Sequence, residues 1–163
     1  MHVRPAQQSE LDHLARVWHD SWRDGHAHVV PAELTRRRTL ESFRSRLQAA
    51  VADIRVVGPI GAPVGFCIVM GDELSQLFVS ASARGTGVAV ALIADAEARL
   101  VVNGVDTAWL TCAIGNHHAA RFYEKRGWYR ARIVVSVLET PDGPFPLEVW
   151  RYEKKLSARP RVG

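Results

Sequence analysis

Between the strand-like run "ELSQLFVSA" and the apolar run that starts at Val88, the chain carries Arg84-Gly85-Thr86-Gly87. Glycine at such a handover permits a tight turn and a close approach of other atoms to the main chain. A helix that begins at these glycines leaves the N–H groups of its first turn without intrahelical partners, and the positive end of its dipole points into the turn. That combination is an anion site suited to a pyrophosphate. A P-loop would need GxxxxGK followed by Ser or Thr, and no such lysine is present. A dinucleotide fingerprint would need a third glycine where Val90 stands. It would also need a place in the first strand-helix-strand unit, whereas here three strands precede the turn, although Asp106 lies at about the right distance.

Further on, "NHHAARFYEKRGW" holds Asn116, which can cap a helix, and Gly127, which can end one. Taken together, the two segments resemble the signatures of the GNAT superfamily of N-acetyltransferases. The acyl-CoA loop of that family reads Arg or Gln, two residues, Gly, one residue, then Gly or Ala, and Arg84, Gly87 and Ala89 fill it in register. Its second signature is matched by Asn116, Ala119, Phe122, Tyr123, Glu124-Lys125, Gly127 and Trp128. The resemblance covers nearly the whole chain; it is strongest over residues 72–128 and weakest over the first 50.

The resemblance implies a fold, a donor and a set of site residues. The fold is a mixed α/β one: a mostly antiparallel seven-stranded sheet flanked by about four helices. The donor is acetyl-CoA, as co-substrate, and the acceptor a primary amine that attacks directly in a ternary complex. Gly85, Thr86, Gly87, Val88 and Ala89 would receive the diphosphate beside Arg84, and Asn116 and Ala119 the pantetheine arm. The sheet would splay between "QLFV" and "LTCAI", so that free main-chain groups at Phe78 and Val79 pair with the pantetheine amides and polarise the thioester carbonyl. Tyr123 would serve the leaving sulfur. A thiol titrates near pH 8.5 and a phenol near 10, so a neutral phenol can hydrogen-bond or protonate a thiolate without first being ionised.

An ammonium has no lone pair, so the acceptor must lose a proton. Glu73, at the start of the strand leading into the expected cleft, is the first candidate base. Asp24, His26 and His28 in "WRDGHAHVVP" are rivals, because the segment between the first two helices borders the acceptor site in this family and histidine titrates near neutrality. Trp22, His26 and His28 are thereby the candidate acceptor-binding residues, with Trp18 read as core. His117 and His118 point in different directions on a helix and have no matching carboxylate or cysteine spacing, so no metal is expected.

The elements that must position these groups are legible as patterns. "HVRPA" reads as a short strand. Ser9 is a candidate cap for a helix carrying Leu11, Leu14, Ala15, Trp18 and Trp22 that stops at Gly25, and "HAHVVPAEL" reads as a loop. A second helix puts Leu40, Phe43, Leu47 and Val51 on one face. "DIRVVGP", "APVGFCIVM" and "ELSQLFVSA" are three successive strands. After the glycine turn comes a long helix with Val88, Leu92, Ala96 and Leu100, then the strand "TAWLTCAI", a helix over "HHAARFYEKR" and two closing strands joined through "TPDGPFP".

Composition bounds the rest. The chain has 163 residues, 47% apolar and 23% charged, which suits one folded domain over residues 1–156 with a basic tail at 157–163. No apolar run approaches the roughly 20 residues of a membrane span, and the N-terminus turns polar too early for a signal peptide, so a cytoplasmic protein with no membrane partner is expected. Cys67 and Cys112 lie in apolar strands and read as buried thiols. The net charge of +4 is spread over Arg36-Arg37-Arg38, Arg44, Arg46, Arg130, Arg132 and the tail, much of it read as a solvated helix face. No aromatics interleave with a basic stripe, so no nucleic-acid partner is expected. The acceptor is a small-molecule amine or a peptide N-terminus, and the last hairpin with Trp150 and Tyr152 is a candidate homodimer contact. Two alternatives remain at this level: a catalytically silent acyl-CoA-binding regulator, and a nucleotide- or nucleic-acid-binding module.

Overall fold

The computed structural model describes residues 1–156, so the tail at 157–163 lies outside the described residues. Seven strands form one sheet: β1 (Val3–Pro5), β2 (Ile54–Val57), β3 (Gly65–Met70), β4 (Glu73–Val79), β5 (Thr107–Ala113), β6 (Tyr129–Thr140) and β7 (Gly143–Lys155), in the spatial order β1-β2-β3-β4-β5-β7-β6. Successive hairpins force antiparallel pairing; only β4 and β5, joined by a helical crossover, run parallel. The helices are α1 (Leu11–His26), α2 (Ala32–Arg37), α3 (Leu40–Ala49), α4 (Val88–Val102) and α5 (His117–Glu124).

Each face of the sheet has its own core. Trp18, Phe43, Leu47 and Phe66 are fully buried under α1 and α3, whereas Val88, Leu92, Ala96 and Leu100 seat α4 on the other face at the spacing the sequence predicts. The Trp18 ring meets Phe43 and Phe66 at centroid distances of 4.8 and 5.4 Å.

Several local expectations need correction. Ser9 does not cap α1. A short 3₁₀ turn, Gln8–Glu10, precedes the helix, and the wholly buried Glu10 carboxylate accepts from Gln7 N at 2.8 Å and Gly61 N at 3.0 Å. Arg4 grips the same carboxylate through both Nη atoms, at 2.9 and 2.7 Å, tying β1 to α1. Gly25 does not stop α1 but sits inside its last turn, where a Cβ would lie 3.2 Å from Asn116 Nδ2. The expected loop after it contains α2: Pro31 presets the entry, and Leu34 is buried on the core. With α2 counted, five helices flank the sheet among the described residues, in keeping with the expected architecture. Leu40 and Val51 leave the predicted face of α3, Leu40 being exposed and Val51 lying in a separate 3₁₀ turn.

The last strand starts earlier than the turn residues suggest. β7 includes Pro144 and Pro146, which lie where it has β6 on one side and β5 has not yet joined on the other, so their missing N–H groups interrupt no second ladder. This extension carries Phe145 and Leu147 over the α1–α3 core. Trp150 and Tyr152 are buried within the chain itself and do not present a dimer contact; the exposed apolar side chains of this hairpin are Ile133, Val135 and Val137 on β6.

Candidate active site

The parallel pair β4–β5 is joined only at Glu73 opposite Trp109, reinforced by Trp109 N–H to Asp72 O at 3.1 Å and Trp109 Nε1–H to Asp72 Oδ1 at 2.8 Å. Beyond that point the strands part. The register against β3 steps from Ile68 opposite Gln76 to Val69 opposite Leu74, so Ser75 is an extra residue that bends β4 where the gap opens. A cavity of about 850 Å³ fills the gap. A smaller hollow of about 400 Å³ lies by the Met70–Gly71 turn, away from the glycine loop.

At the C-terminal end of β4 the glycine loop forms one rim. Gly85 and Gly87 have φ of +76° and +89°, which glycine alone adopts without strain, and Gly87 is the N-cap of α4. Its carbonyl accepts the first helical bond, from Ala91 N, so the amides of Gly87 to Val90 precede any intrahelical donor. An added Cβ at Gly85 would meet nothing within 4 Å. Arg84, Gly85, Gly87, Val88 and Ala89 line the cavity. Thr86 does not: its hydroxyl and its N–H both turn back to Ala83 O. The Arg84 guanidinium pairs with Asp24 at 2.8 Å, joining the loop to the end of α1 at the cavity mouth.

Along the gap, main-chain direction decides what is free. Ser80 N–H donates to Val64 O at 2.8 Å, so strand alternation turns the main chain of Phe78 toward β3 and that of Leu77 and Val79 into the gap. The expectation of free groups at Phe78 is therefore corrected to Leu77. The Val79 carbonyl already accepts the Ser21 hydroxyl at 3.0 Å, which leaves its N–H. Phe78 contributes its ring instead, with centroids 5.9 Å from Trp18 and 6.1 Å from His26.

α5 supplies the opposite wall. Asn116 Oδ1 accepts from Ala119 N at 3.3 Å and caps the helix, so its amide NH₂ remains as a donor beside Gly25. The helix ends in a Schellman arrangement at Gly127, with Trp128 N bonded to Tyr123 O and Gly127 N to Glu124 O. This holds Tyr123 between Phe122, Trp128 and Tyr152, at centroid distances of 5.4, 6.3 and 6.3 Å. The Tyr123 hydroxyl has no hydrogen-bond partner among the described residues and the side chain lines the cavity. Burial pushes the phenol well above its ordinary value, so it is neutral throughout the physiological range. Cys112 lines the same wall; burial pushes its thiol up to about 12, and that of Cys67 to about 11, so neither is a thiolate.

The candidate bases separate. Glu73 lies at the closed end of the β4–β5 pair and does not line the cavity; burial, and then Asp72, raise its carboxyl while Arg151 opposes them. His26 and His28 do line it. The His26 ring stacks on buried Trp22 at 5.0 Å and 2°, with Nδ1 3.0 Å from Trp22 O. Burial lowers its pKa to about 4, assisted by the Arg38 and His28 charges, so the imidazole is neutral with a free lone pair on Nε2.

Two residues on this side escape the sequence reading. Arg38 and Arg46, taken there as solvated, line the cavity, and Arg38 is only 3% exposed. The only signal was their place in an arginine-rich stretch between apolar positions. His117 and His118 also line the cavity, and among the described residues no group of three or more His, Cys, Asp or Glu could hold a metal ion. No helix among them is long and apolar enough to cross a membrane.

Residues 11–128 match the model of the Acetyltransferase (GNAT) family. No curated protein matches the sequence. Among solved structures, the fold is similar to a GCN5-related N-acetyltransferase from Rhodopseudomonas palustris, at 20% identity and TM-score 0.75, covering 94% of each chain. It is similar to the PaiA N-acetyltransferase from Thermoplasma acidophilum in complex with coenzyme A, at 20% identity and TM-score 0.64, covering 94% of this chain and 98% of that one. A third likeness is to the ribosomal-protein-alanine N-acetyltransferase from Brucella melitensis, at 16% identity and TM-score 0.71, covering 95% and 99%.

Proposed function

Because this chain belongs to the acetyltransferase (GNAT) family, we propose that it moves an acetyl group from acetyl-CoA to a primary amine by direct attack within a ternary complex. Membership makes it an acyltransferase; the acceptor, the ternary mechanism and the residue roles are our reading. The observation that carries it is the parting of β4 from β5 beside the open amides at the start of α4, a slot with free main-chain N–H groups at one end and, in its wall, a phenol with no partner among the described residues.

In this reading the diphosphate meets the amides of Gly87 to Ala89 and the charge of Arg84, with Gly85 giving clearance. Thr86 acts only by shaping the turn. The pantetheine amides pair with Leu77 and the Val79 N–H as an added strand would, and Asn116 donates through its amide. When the amine nitrogen bonds to the carbonyl carbon and the C–S bond breaks, the electron pair leaves on sulfur and the Tyr123 hydroxyl donates to it. Burial raises a thiol and a phenol alike, so their relative order is kept in the shared apolar wall.

The amine proton passes to the neutral His26 imidazole and out through His28, in place of Glu73. Unpaired guanidinium charge on this side also lowers the pKa of an incoming ammonium, which favours the free amine. An acyl-cysteine route is disfavoured because Cys112 stays protonated at working pH. The acceptor class is a primary amine, whether on a small molecule or at a peptide N-terminus; the Brucella melitensis neighbour is named as an N-acetyltransferase of ribosomal-protein alanine.

Calorimetric titration with coenzyme A and acetyl-CoA tests the donor site, and acetyl-CoA-dependent thiol release with amines tests transfer. Binding together with amine-dependent release is expected. No heat at concentrations well above physiological sinks the reading, and binding without release from any amine favours the silent acyl-CoA-binding regulator.

A further inference from the structure

The acceptor side of the cavity has a charge arrangement that a simple amine does not explain. The segment spanning α2 and α3 holds Arg36, Arg37, Arg38, Arg44 and Arg46. Three have carboxylate partners: Arg36 and Arg37 share Glu33, and Arg44 holds Asp12 at 2.6 Å. Arg38 and Arg46 have none among the described residues, and they are the two that line the cavity.

Arg38 is 97% removed from solvent by its 3% exposure, and its Nη1 donates to Glu139 O at 2.7 Å. Its Nε is buried with no acceptor, and Nη2 has none among the described residues. The unused Nε–Nη2 edge presents two parallel N–H groups, the geometry that meets both oxygens of a planar carboxylate. The Arg46 guanidinium stands over the Trp18 ring, its Cζ 4.3 Å from the ring centroid, and its N–H groups have no hydrogen-bond partner among the described residues. Burial and then the Arg38 charge depress the Arg46 pKa, so the two guanidiniums feel each other.

Burying a guanidinium without a counter-ion is costly, and beyond the Glu139 carbonyl and the Trp18 ring the described residues supply neither cation with a carboxylate. The sole carboxylate among the cavity-lining residues, Asp24, is engaged by Arg84 at 2.8 Å. A polycationic acceptor would enter a wall carrying its own sign of charge. Resting on the acyltransfer reading above, we infer that the acceptor is an amine that also bears a carboxylate, bound bidentately by the Nε–Nη2 edge of Arg38 with Arg46 as the second cation. One molecule then supplies the nucleophile to the donor slot and the missing anion to the guanidinium pair.

The test is an acceptor panel in three matched arms: α-amino acids and longer or aryl amino acids, their carboxamides, and the corresponding amines lacking the carboxyl group. The readout is thiol release, with coenzyme A affinity measured in parallel by calorimetry. The carboxylate arm is expected to exceed both others by at least about 100-fold in kcat/KM, because the amide or amine leaves the buried cations unpaired. Arg46→Gln should raise the KM of the best carboxylate acceptor by at least about 30-fold and narrow the gap between arms. Its guanidinium makes no hydrogen bond to the described residues, so it separates recognition from folding; Arg38→Lys, which keeps charge but loses the flat edge, should do the same. Coenzyme A affinity should hold in both variants. Equal or better turnover of the amide or amine arm overturns the inference, as does no turnover of any carboxylate by protein that binds coenzyme A. Loss of coenzyme A binding in the parent protein removes the acyltransfer reading itself, and this inference with it.

Discussion

Replacing Tyr123 with Phe isolates one hydroxyl. The ring would keep its neighbours Phe122, Trp128 and Tyr152, since all three contacts are made by the ring plane. The hydroxyl has no partner among the described residues, so its removal should alter unfolding free energy by less than about 0.5 kcal/mol. A hydrogen bond to a charged group contributes about 1.5–3 kcal/mol, and here that group is the sulfur as the C–S bond breaks. Loss of this bond corresponds to a fall in kcat of about 10- to 150-fold. Ground-state binding does not use it, so the KM for acetyl-CoA should move by less than about two-fold. The assay is initial-rate thiol release at saturating acceptor, with urea unfolding as the stability control. Because burial raises the phenol above its ordinary range, the parent enzyme should show no alkaline loss of kcat from Tyr123 below about pH 10. An unaltered kcat in the variant, with folding intact, would refute the role.

Three further outcomes follow from the same fold. Gly87→Ala places a Cβ at φ +89° with only Met1 Cε near, at 3.9 Å, so the cost is backbone strain of about 1–2 kcal/mol, or about 2–8 °C in Tm. Its methyl group crowds the first amides of α4, so coenzyme A affinity should drop at least about 10-fold while pantetheine, which lacks the diphosphate, is unaffected. Glu10→Gln leaves Arg4 without its buried anion and should lower unfolding free energy in urea by about 3–5 kcal/mol; a loss below about 1 kcal/mol would contradict the clamp. For His26 the folded pKa of about 4 lies below the unfolded 6.5, so the unfolded chain binds more protons between those values and stability rises with pH across that window. Its contribution, up to about 3 kcal/mol at pH 6.5 relative to pH 4, should be missing from the stability curve of His26→Gln and appear in the parent-minus-variant difference curve, and a flat difference curve would count against the burial.

Much of the fold was readable because its signals are local. Val88, Leu92, Ala96 and Leu100 recur at helical spacing and all face the core, and the glycines at 85 and 87 mark the turn where left-handed backbone is needed. Asn116 and Gly127 were legible as the two ends of α5 for the same reason, since caps act on residues a few positions away. Gly25 was misjudged as a stop because its smallness serves Asn116, a residue far off in the chain.

Sequence alone, then, determined the order of the strands and of the longer helices, the glycine turn before α4 and the candidate donor residues. Each of these depends on neighbours within one or two helical turns. Only the tertiary structure decided which main-chain groups of β4 face the gap, that Ser21 takes up the Val79 carbonyl, that Glu73 sits outside the cavity, and that Arg38 and Arg46 line it with no carboxylate partner among the described residues. Those facts depend on strand register, on a one-residue bulge at Ser75 and on which elements close over a side chain, and an arginine reads the same in a sequence whether water or protein surrounds it.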